Sequence, residues 1–368
     1  MGAITRGIAN NILGNGAVDG TDALSGTIPA TNIGNPSLAN LTTFPPSVDA
    51  GIPQVAGDPP APSEGDVWYN TNTYKLKVRG ASAVGGSWSV GGNMNTSRFR
   101  HSTSKSGSKT ASLVTGGNSP QTVNTETYNG TSWTEVNDLN TAKAQHAGAG
   151  TQASALAFAG NNPGPITVNN ESWNGTSWTE VGDLNTSRRY IMGFGADNTS
   201  ALGIGGFVGP PTSLNAGNTE SWNGTSWTEV ADLNAAKRIS GSSGVVSSGL
   251  LYGGNIAGTY QSQTESWNGS AWTEVADLNS AREGMGGAGV DNTAALTFGG
   301  DEPPASAKTE LYNGTSWSEQ NDLNTGRNAM GGDGSTTTAF ATGGDTPPVT
   351  NATEEWTGAA SNLNVDLA

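Results

Sequence analysis

The sequence predicts an all-β chain in three parts: an extended low-complexity segment over residues 1–60, a β-hairpin with its linker over 61–84, and a six-bladed β-propeller of four-stranded blades over 85–368. Three observations predict it. The phrase Glu171-Ser-Trp173-Asn174-Gly175-Thr-Ser-Trp178-Thr-Glu180-Val-Gly-Asp183-Leu184-Asn185 recurs at Glu126–Asn140, Glu220–Asn234, Glu265–Asn279 and Glu310–Asn324. Its second aromatic, at Trp133, Trp178, Trp227, Trp272 and Trp317, advances by 45, 49, 45 and 45 residues, and propeller repeats of four strands run roughly 40–50 residues. The chain ends carry complementary halves of the phrase: Thr353-Glu354-Glu355-Trp356-Thr357-Gly358 is the first half and Ser87-Trp88-Ser89-Val90 the second.

Residues 1–60 are punctuated by Gly34-Asn-Pro36, Phe44-Pro-Pro46 and Asp58-Pro-Pro60, which deny a long helix or sheet. Such a stretch cannot bury a core of its own. It reads as a linker, or as a segment ordered on a partner, with Ile4, Arg6, Ile8, Leu38, Leu41 and Phe44 as its anchoring side chains. In Gly65-Asp-Val-Trp68-Tyr69-Asn70-Thr-Asn72-Thr-Tyr74-Lys-Leu76-Lys-Val78, alternation on both sides of a polar turn predicts a hairpin.

Each repeat reads as four strands, a to d, from the axis outward. Strand a is rich in small residues (Gly148-Ala-Gly150, Gly241-Ser-Ser-Gly244, Gly286-Gly-Ala-Gly289), as a crowded centre requires. Strand b is a short apolar run ending in two glycines, as in Ala201-Leu-Gly-Ile-Gly205-Gly206; the second unit has Ala159-Gly160 instead. Strand c carries Glu and then an aromatic, and strand d carries Trp. The Asn-Gly between c and d is a hairpin signal, because both residues tolerate positive φ. The two half-phrases make the sixth unit, and joining them removes the exposed edge an open array would leave.

A ladder runs through the units. Glu126, Glu171, Glu220, Glu265, Glu310 and Glu354 are matched by Arg98, Lys143, Arg188, Lys237, Arg282 and Arg327. Catalysis needs asymmetry, and the ladder is symmetric, so the pairs are expected to tie strand c to the d–a connection, within or between blades. Asn93, Asp138, Asp183, Asp232, Asp277 and Asp322 are expected to cap turns; calcium at those turns is the alternative. The d–a connections look uniform, whereas the b–c loops differ from blade to blade. Variable loops on a rigid scaffold are where binding concentrates. The expected partner-binding rim is therefore Phe207, Val208, Pro210, Pro211, Tyr260, Asp301 and Asp345.

Composition narrows the chemistry. A net charge of −15 with 16 Lys+Arg disfavours nucleic acid and anionic lipid. No apolar run reaches the roughly 18 residues of a membrane helix, and Met1–Asn10 lacks a signal-peptide core. There is no cysteine, which excludes disulfides, thiolate nucleophiles and a copper centre that needs a Cys-linked Tyr. The two histidines, His101 and His146, fall near the starts of strand a one blade apart and read as solvent-exposed, with a shared metal as the alternative. No enzyme activity, cofactor or metal is expected.

The glycine pair after an apolar strand, followed by an aromatic and a Trp, resembles the kelch repeat over roughly Gly85 to Trp356, with a tighter spacing between the two aromatics. The start Ile4-Thr-Arg-Gly-Ile-Ala-Asn10, the low-complexity stretch and Gly65-Asp-Val-Trp-Tyr-Asn-Thr71 together resemble virion proteins of tailed, especially marine, phages. That resemblance implies a virion structural protein, a tail fibre or other particle-bound appendage. Its N-terminus would anchor to other virion proteins, possible trimerisation included, and its propeller would face a host-surface glycan or protein. A capsid-decorating protein, or a generic kelch-type protein- or glycan-binding module, is the alternative.

Overall fold

The computed structural model describes residues 53–57, 67–70, 72, 75–79, 85–358 without 106, 119 and 163, and 364–367. Ile4, Arg6, Ile8, Leu38, Leu41 and Phe44 lie outside the described residues.

Residues 86–358 form a six-bladed propeller, each blade a sheet of four antiparallel strands. Blade 1 is Ser102–Thr103, Ser112–Thr115, Thr125–Tyr128 and Trp133–Val136, in the order a to d. Blade 2 is Ala147–Thr151, Ser154–Phe158, Asn170–Trp173 and Trp178–Val181; blade 3 is Met192–Asp197, Ser200–Ile204, Thr219–Trp222 and Trp227–Val230. Blade 4 is Gly241–Val245, Ser248–Tyr252, Thr264–Trp267 and Trp272–Val275; blade 5 is Gly286–Ala288, Ala295–Phe298, Thr309–Tyr312 and Trp317–Glu319. Blade 6 takes strands a to c from Gly331–Gly334, Thr338–Thr342 and Thr353–Thr357, and its outer strand from Ser87–Val90 near the other end of the chain.

The core lies between blades rather than within them. Phe158 of blade 2 packs with Trp222 and Trp227 of blade 3. Phe298 of blade 5 meets Trp88 and Trp356 of blade 6, and Phe340 of blade 6 meets Tyr128 and Trp133 of blade 1. The strand-c aromatic is always the register partner of the strand-d Trp, as in Trp173↔Trp178, Trp222↔Trp227 and Trp267↔Trp272. Several strand-d indoles also donate backward to a Thr of the preceding blade: Trp133 Nε1 to Thr353 Oγ1 at 3.0 Å, Trp272 to Thr219 at 3.1 Å and Trp317 to Thr264 at 3.2 Å. The Leu or Met after each turn Asp/Asn (Met94, Leu139, Leu184, Leu233, Leu278, Leu323) is buried in the same slabs.

The c–d turn works differently from a two-residue hairpin. Only its glycine takes positive φ, for example Gly175 at 90°. Asn174 instead accepts through Oδ1 from the amides of Thr176 and Ser177, both at 2.9 Å, and closes a four-residue loop. The same Asn contact recurs at Asn129, Asn223, Asn268 and Asn313.

A second unit contains one sheet, ordered Gln54–Val55, Val67–Asn70, Lys75–Arg79, Asn364–Leu367. Its hairpin pairs Asn70 with Lys75 and Val67 with Val78. The propeller expected from sequence extends to residue 368, and the structure ends it earlier. Asn364–Leu367 pairs antiparallel with Lys75–Arg79, Leu367 opposite Leu76; every blade already has its fourth strand, so this alternating tail pairs with the hairpin's edge.

Candidate functional site

The run entering each innermost strand is gripped by the strand-c glutamate. Glu126 accepts through Oε2 from the amide and the Nδ2 of Asn95, at 2.7 and 2.8 Å, while its Oε1 meets Arg98. The arrangement repeats with Lys143–Glu171 at 3.5 Å, Arg188–Glu220 at 2.7 Å, Lys237–Glu265 at 3.2 Å, Arg282–Glu310 at 2.7 Å and Arg327–Glu354 at 2.9 Å. Asn95 follows the outer strand of blade 6 and Glu126 belongs to blade 1, so the clamp joins consecutive blades. Each arginine of the ladder also donates to two carbonyls, as Arg188 does to Gly205 at 3.0 Å and Asn218 at 2.6 Å. The bases are fully buried. Burial lowers their pKa values and the glutamate charges oppose it.

Two places beyond each base lies a residue in the left-handed region: Arg100, Gln145, Tyr190, Ile239, Gly284 and Ala329, with φ between 52° and 66°. That conformation turns each amide toward the preceding blade. Gln145 donates to Arg100 O, Tyr190 to Gln145 O, Ile239 to Tyr190 O, Gly284 to Ile239 O, Ala329 to Gly284 O and Arg100 to Ala329 O. The six bonds close a ring around the axis. Their side chains, large in blades 1 to 4 and absent or minimal in blades 5 and 6, shape the axial mouth asymmetrically.

Within this ring is a cavity of about 160 Å³, lined at the mouth by Arg100, Gln145, Tyr190, Glu283 and Asp301 and below by the starts of strand a. Lower down, Lys105 donates to the carbonyls of Gly287 and Gly332 at 3.1 and 3.2 Å, and burial lowers its pKa to about 8 despite the nearby Asp333 charge. Tyr190 is the centre of a cationic cluster: the guanidinium carbons of Arg100, Arg189 and Arg238 lie 5.4, 5.4 and 5.9 Å from its ring centroid. Phe207 lies 5.3 Å from Arg189 and 4.9 Å from Arg238. Burial, with the nearby Asp301 charge, pushes the Glu283 carboxyl above its ordinary range, and a hydrogen bond from Asn255 and the Arg238 and Arg100 charges pull it back.

The rim residues expected from sequence fall into two groups. Asp301 lines the mouth, and Phe207 stands beside it against Arg189 and Arg238; Tyr260 donates to Asp301 Oδ2 at 2.9 Å, a bond that raises the phenol to about 12. Asp345 bridges to Asn328, which also lines the cavity. Val208 pairs with Leu214 in a small loop hairpin, and Pro210 and Pro211 occupy its tip. The histidines differ from expectation. His101 and His146 are buried, not solvent-exposed, because the entry to strand a is covered by the glycine pairs: Gly343 packs on His101 and Gly160 on His146. Among the described residues no three His, Cys, Asp or Glu converge as metal ligands, and no helix is long and apolar enough to cross a membrane.

Arg100, Arg189, Tyr190, Arg238 and Glu283 were missed from sequence. The d–a run is uniform only as far as its base. The next two positions read Phe-Arg, Ala-Gln, Arg-Tyr, Arg-Ile, Glu-Gly and Asn-Ala through the six units, and that local break in uniformity was the available signal.

No family model matches the chain, and no curated protein matches it. Among solved structures, one described as "Structure of YjhT" is similar with a TM-score of 0.59 and 13% identity, over 71% of this chain and 96% of that one. At that identity the likeness shows the fold alone.

Proposed function

We propose that the chain is a binding and display protein of a phage particle, a tail fibre or other appendage, whose propeller presents the axial mouth and its b–c loops to a host surface or a neighbouring subunit. One observation carries the reading. Otherwise near-identical blades differ at the loops after strand b and at the two positions after each ladder base, and those differences meet around the axial cavity. The c–d turns keep the same Asn-Gly geometry from blade to blade. A scaffold that keeps its clamps alike and varies the loops around a cavity is suited to recognition.

The particle-borne part rests on the resemblance of residues 1–80 to virion proteins, with the N-terminal segment docking on other virion proteins and forming a trimer there. Two measurements test the reading. Labelled antibody against the ring should decorate intact virions at the tail. Decoration of the capsid would favour a decorating protein, and none on the particle would end the virion assignment. Purified chain should bind host cells and lose that binding when Gly209–Leu214 is deleted, while the ring keeps its unfolding transition. Unchanged binding after the deletion would remove the loop face from the proposal.

A further inference from the structure

The chain carries a net charge of −15, yet three positive side chains, Arg100 on the cavity lining and Arg189 and Arg238 beside Tyr190, gather near the axial mouth outside any of the ring's ion pairs. Among the described residues of the ring, six bases are spent in the ladder, Lys109 pairs with Glu355 at 2.9 Å and Lys308 with Glu302 at 3.0 Å, and Lys105 is held by two carbonyls. Arg100, Arg189 and Arg238 remain. They come from three different blades and converge on Tyr190, and Arg189 and Arg238 share the ring of Phe207 as well. The Nε atoms of Arg189 and Arg238 are buried without a hydrogen-bond partner, as are Gln145 Oε1 and Glu283 Oε2 around the same opening.

Like charges gathered in one place repel each other and lose hydration, so the arrangement costs stability unless something answers it. Aromatic rings supply part of the answer through cation–π contact. They leave the planar guanidinium donors free, and these match oxyanions with two parallel bonds. Beside them stand acceptors and amides, Glu283, Asp301, Gln145 and Asn328, suited to hydroxyl groups, and the Tyr190 ring offers an apolar face. Tyr260 fixes Asp301 in place. A cavity of about 160 Å³ holds one small ring, not a threaded polymer.

We infer that the axial mouth binds a sugar residue bearing a carboxylate or a phosphate, held by Arg100, Arg189 and Arg238 through its oxyanion and by Glu283 and Asp301 through its hydroxyls. The inference rests on the display reading and deepens it, since an acidic sugar at a polymer end is what such a mouth would meet on a cell surface.

The test is calorimetric titration of the full chain with glucuronate, glucose 6-phosphate and glucose. Binding of glucuronate alone identifies the carboxylate as the source, and of glucose 6-phosphate alone the phosphate; glucose should not bind or compete. Affinity should fall as salt is raised. Arg100→Gln and Arg238→Gln should each weaken binding tenfold or more while leaving the melting temperature within a few degrees, and Lys109→Gln, away from the mouth, should change nothing. Absence of binding by both acids, equal binding of glucose, or full affinity in both arginine variants would overturn the inference. If cells still bind the chain in a loop-dependent way while both acids fail, the anionic ligand falls and the display reading stands. If the acids bind and cells do not, the reverse holds.

Discussion

Trp88 sits directly opposite Trp356 in the outer pair of strands of blade 6, their rings 5.4 Å apart, although the two residues stand near opposite ends of the propeller sequence. The pairing closes the ring, and it does so through side chains as well as ladder bonds. Trp88 also meets Phe298 of blade 5 edge-on at 4.8 Å, and its Nε1 donates to Thr309 Oγ1 at 2.9 Å. Trp88→Ala should therefore destabilise the ring by about 3–5 kcal/mol, the cost of emptying a large aromatic site. Chemical denaturation with tryptophan fluorescence reads it. A loss below ~1 kcal/mol would mean that the closure strand contributes little.

The ladder has a weak rung. Lys237 reaches Glu265 Oε1 at 3.2 Å through a single ammonium contact and one carbonyl, Gln263 O, at 3.3 Å. One blade on, Arg282 bonds Glu310 Oε1 at 2.7 Å and the carbonyls of Gly299 and Lys308 at 3.1 and 2.8 Å. Blade 4 keeps the matching Gly253-Gly254 pair. Lys237→Arg should supply the missing carbonyl bond and add about 1 kcal/mol, visible as a rise in melting temperature of roughly 2 °C or more. A fall would show that the cavity around Lys237 is too small for a guanidinium.

Ala159 is the one non-glycine at the first position of the strand-b glycine pair, with φ at 59° where Gly205 has 57° and Gly253 has 60°. Left-handed backbone costs a residue with a Cβ about 1–2 kcal/mol, and the extra freedom of unfolded glycine returns about 0.5–1 kcal/mol of that. Ala159→Gly should thus stabilise by a few tenths to about 1 kcal/mol. Gly205→Ala should do the opposite and more strongly, because its Cβ would come within 2.6 Å of the Lys237 carbonyl. Paired thermal melts of the two variants check the signs; a stabilising Gly205→Ala would contradict the argument.

The blades were legible because their determinants are periodic. The same Glu, Trp and glycine pair must recur wherever the same inter-blade clamp is built, so spacing alone exposed Trp133 through Trp317 and the two halves around Trp88 and Trp356. The mouth was not legible for the converse reason. Arg100, Tyr190 and Arg238 occupy equivalent places in blades 1, 3 and 4 or the place beside them, and only the circular arrangement brings residues so distant in sequence to one ring. Burial at the histidines was equally hidden, since it is set by glycines such as Gly160 and Gly343 that follow strand b, not by neighbours of His101 and His146 in the chain. The Asn of the c–d turn stands out in the sequence, but a hairpin reading assigns it a left-handed backbone. Its side chain closes the loop instead.

His146 makes stability depend on pH in a predictable direction. It is buried, with Nε2 2.9 Å from Thr115 Oγ1. Burial first, and then the Lys143 and Arg98 charges, lower its pKa to about 3 from an ordinary 6.5; the same kinds of cause, burial and then Arg98 and His146, hold His101 well below the ordinary value. Between those two values the unfolded chain binds protons that the folded ring does not, so folding stability rises with pH. The stability is intact above about pH 6.5 and is lost progressively as pH falls toward 3. Each histidine contributes a slope of up to ~1.4 kcal/mol per pH unit once its unfolded form is fully protonated. Urea unfolding between about pH 5 and 7, above the ordinary carboxylate range, reads the effect, with the raised Glu283 carboxyl opposing it. His146→Gln keeps a polar partner for Thr115 and removes the titration, so it should flatten the slope by roughly half; an unchanged slope would place the acid sensitivity elsewhere in the ring.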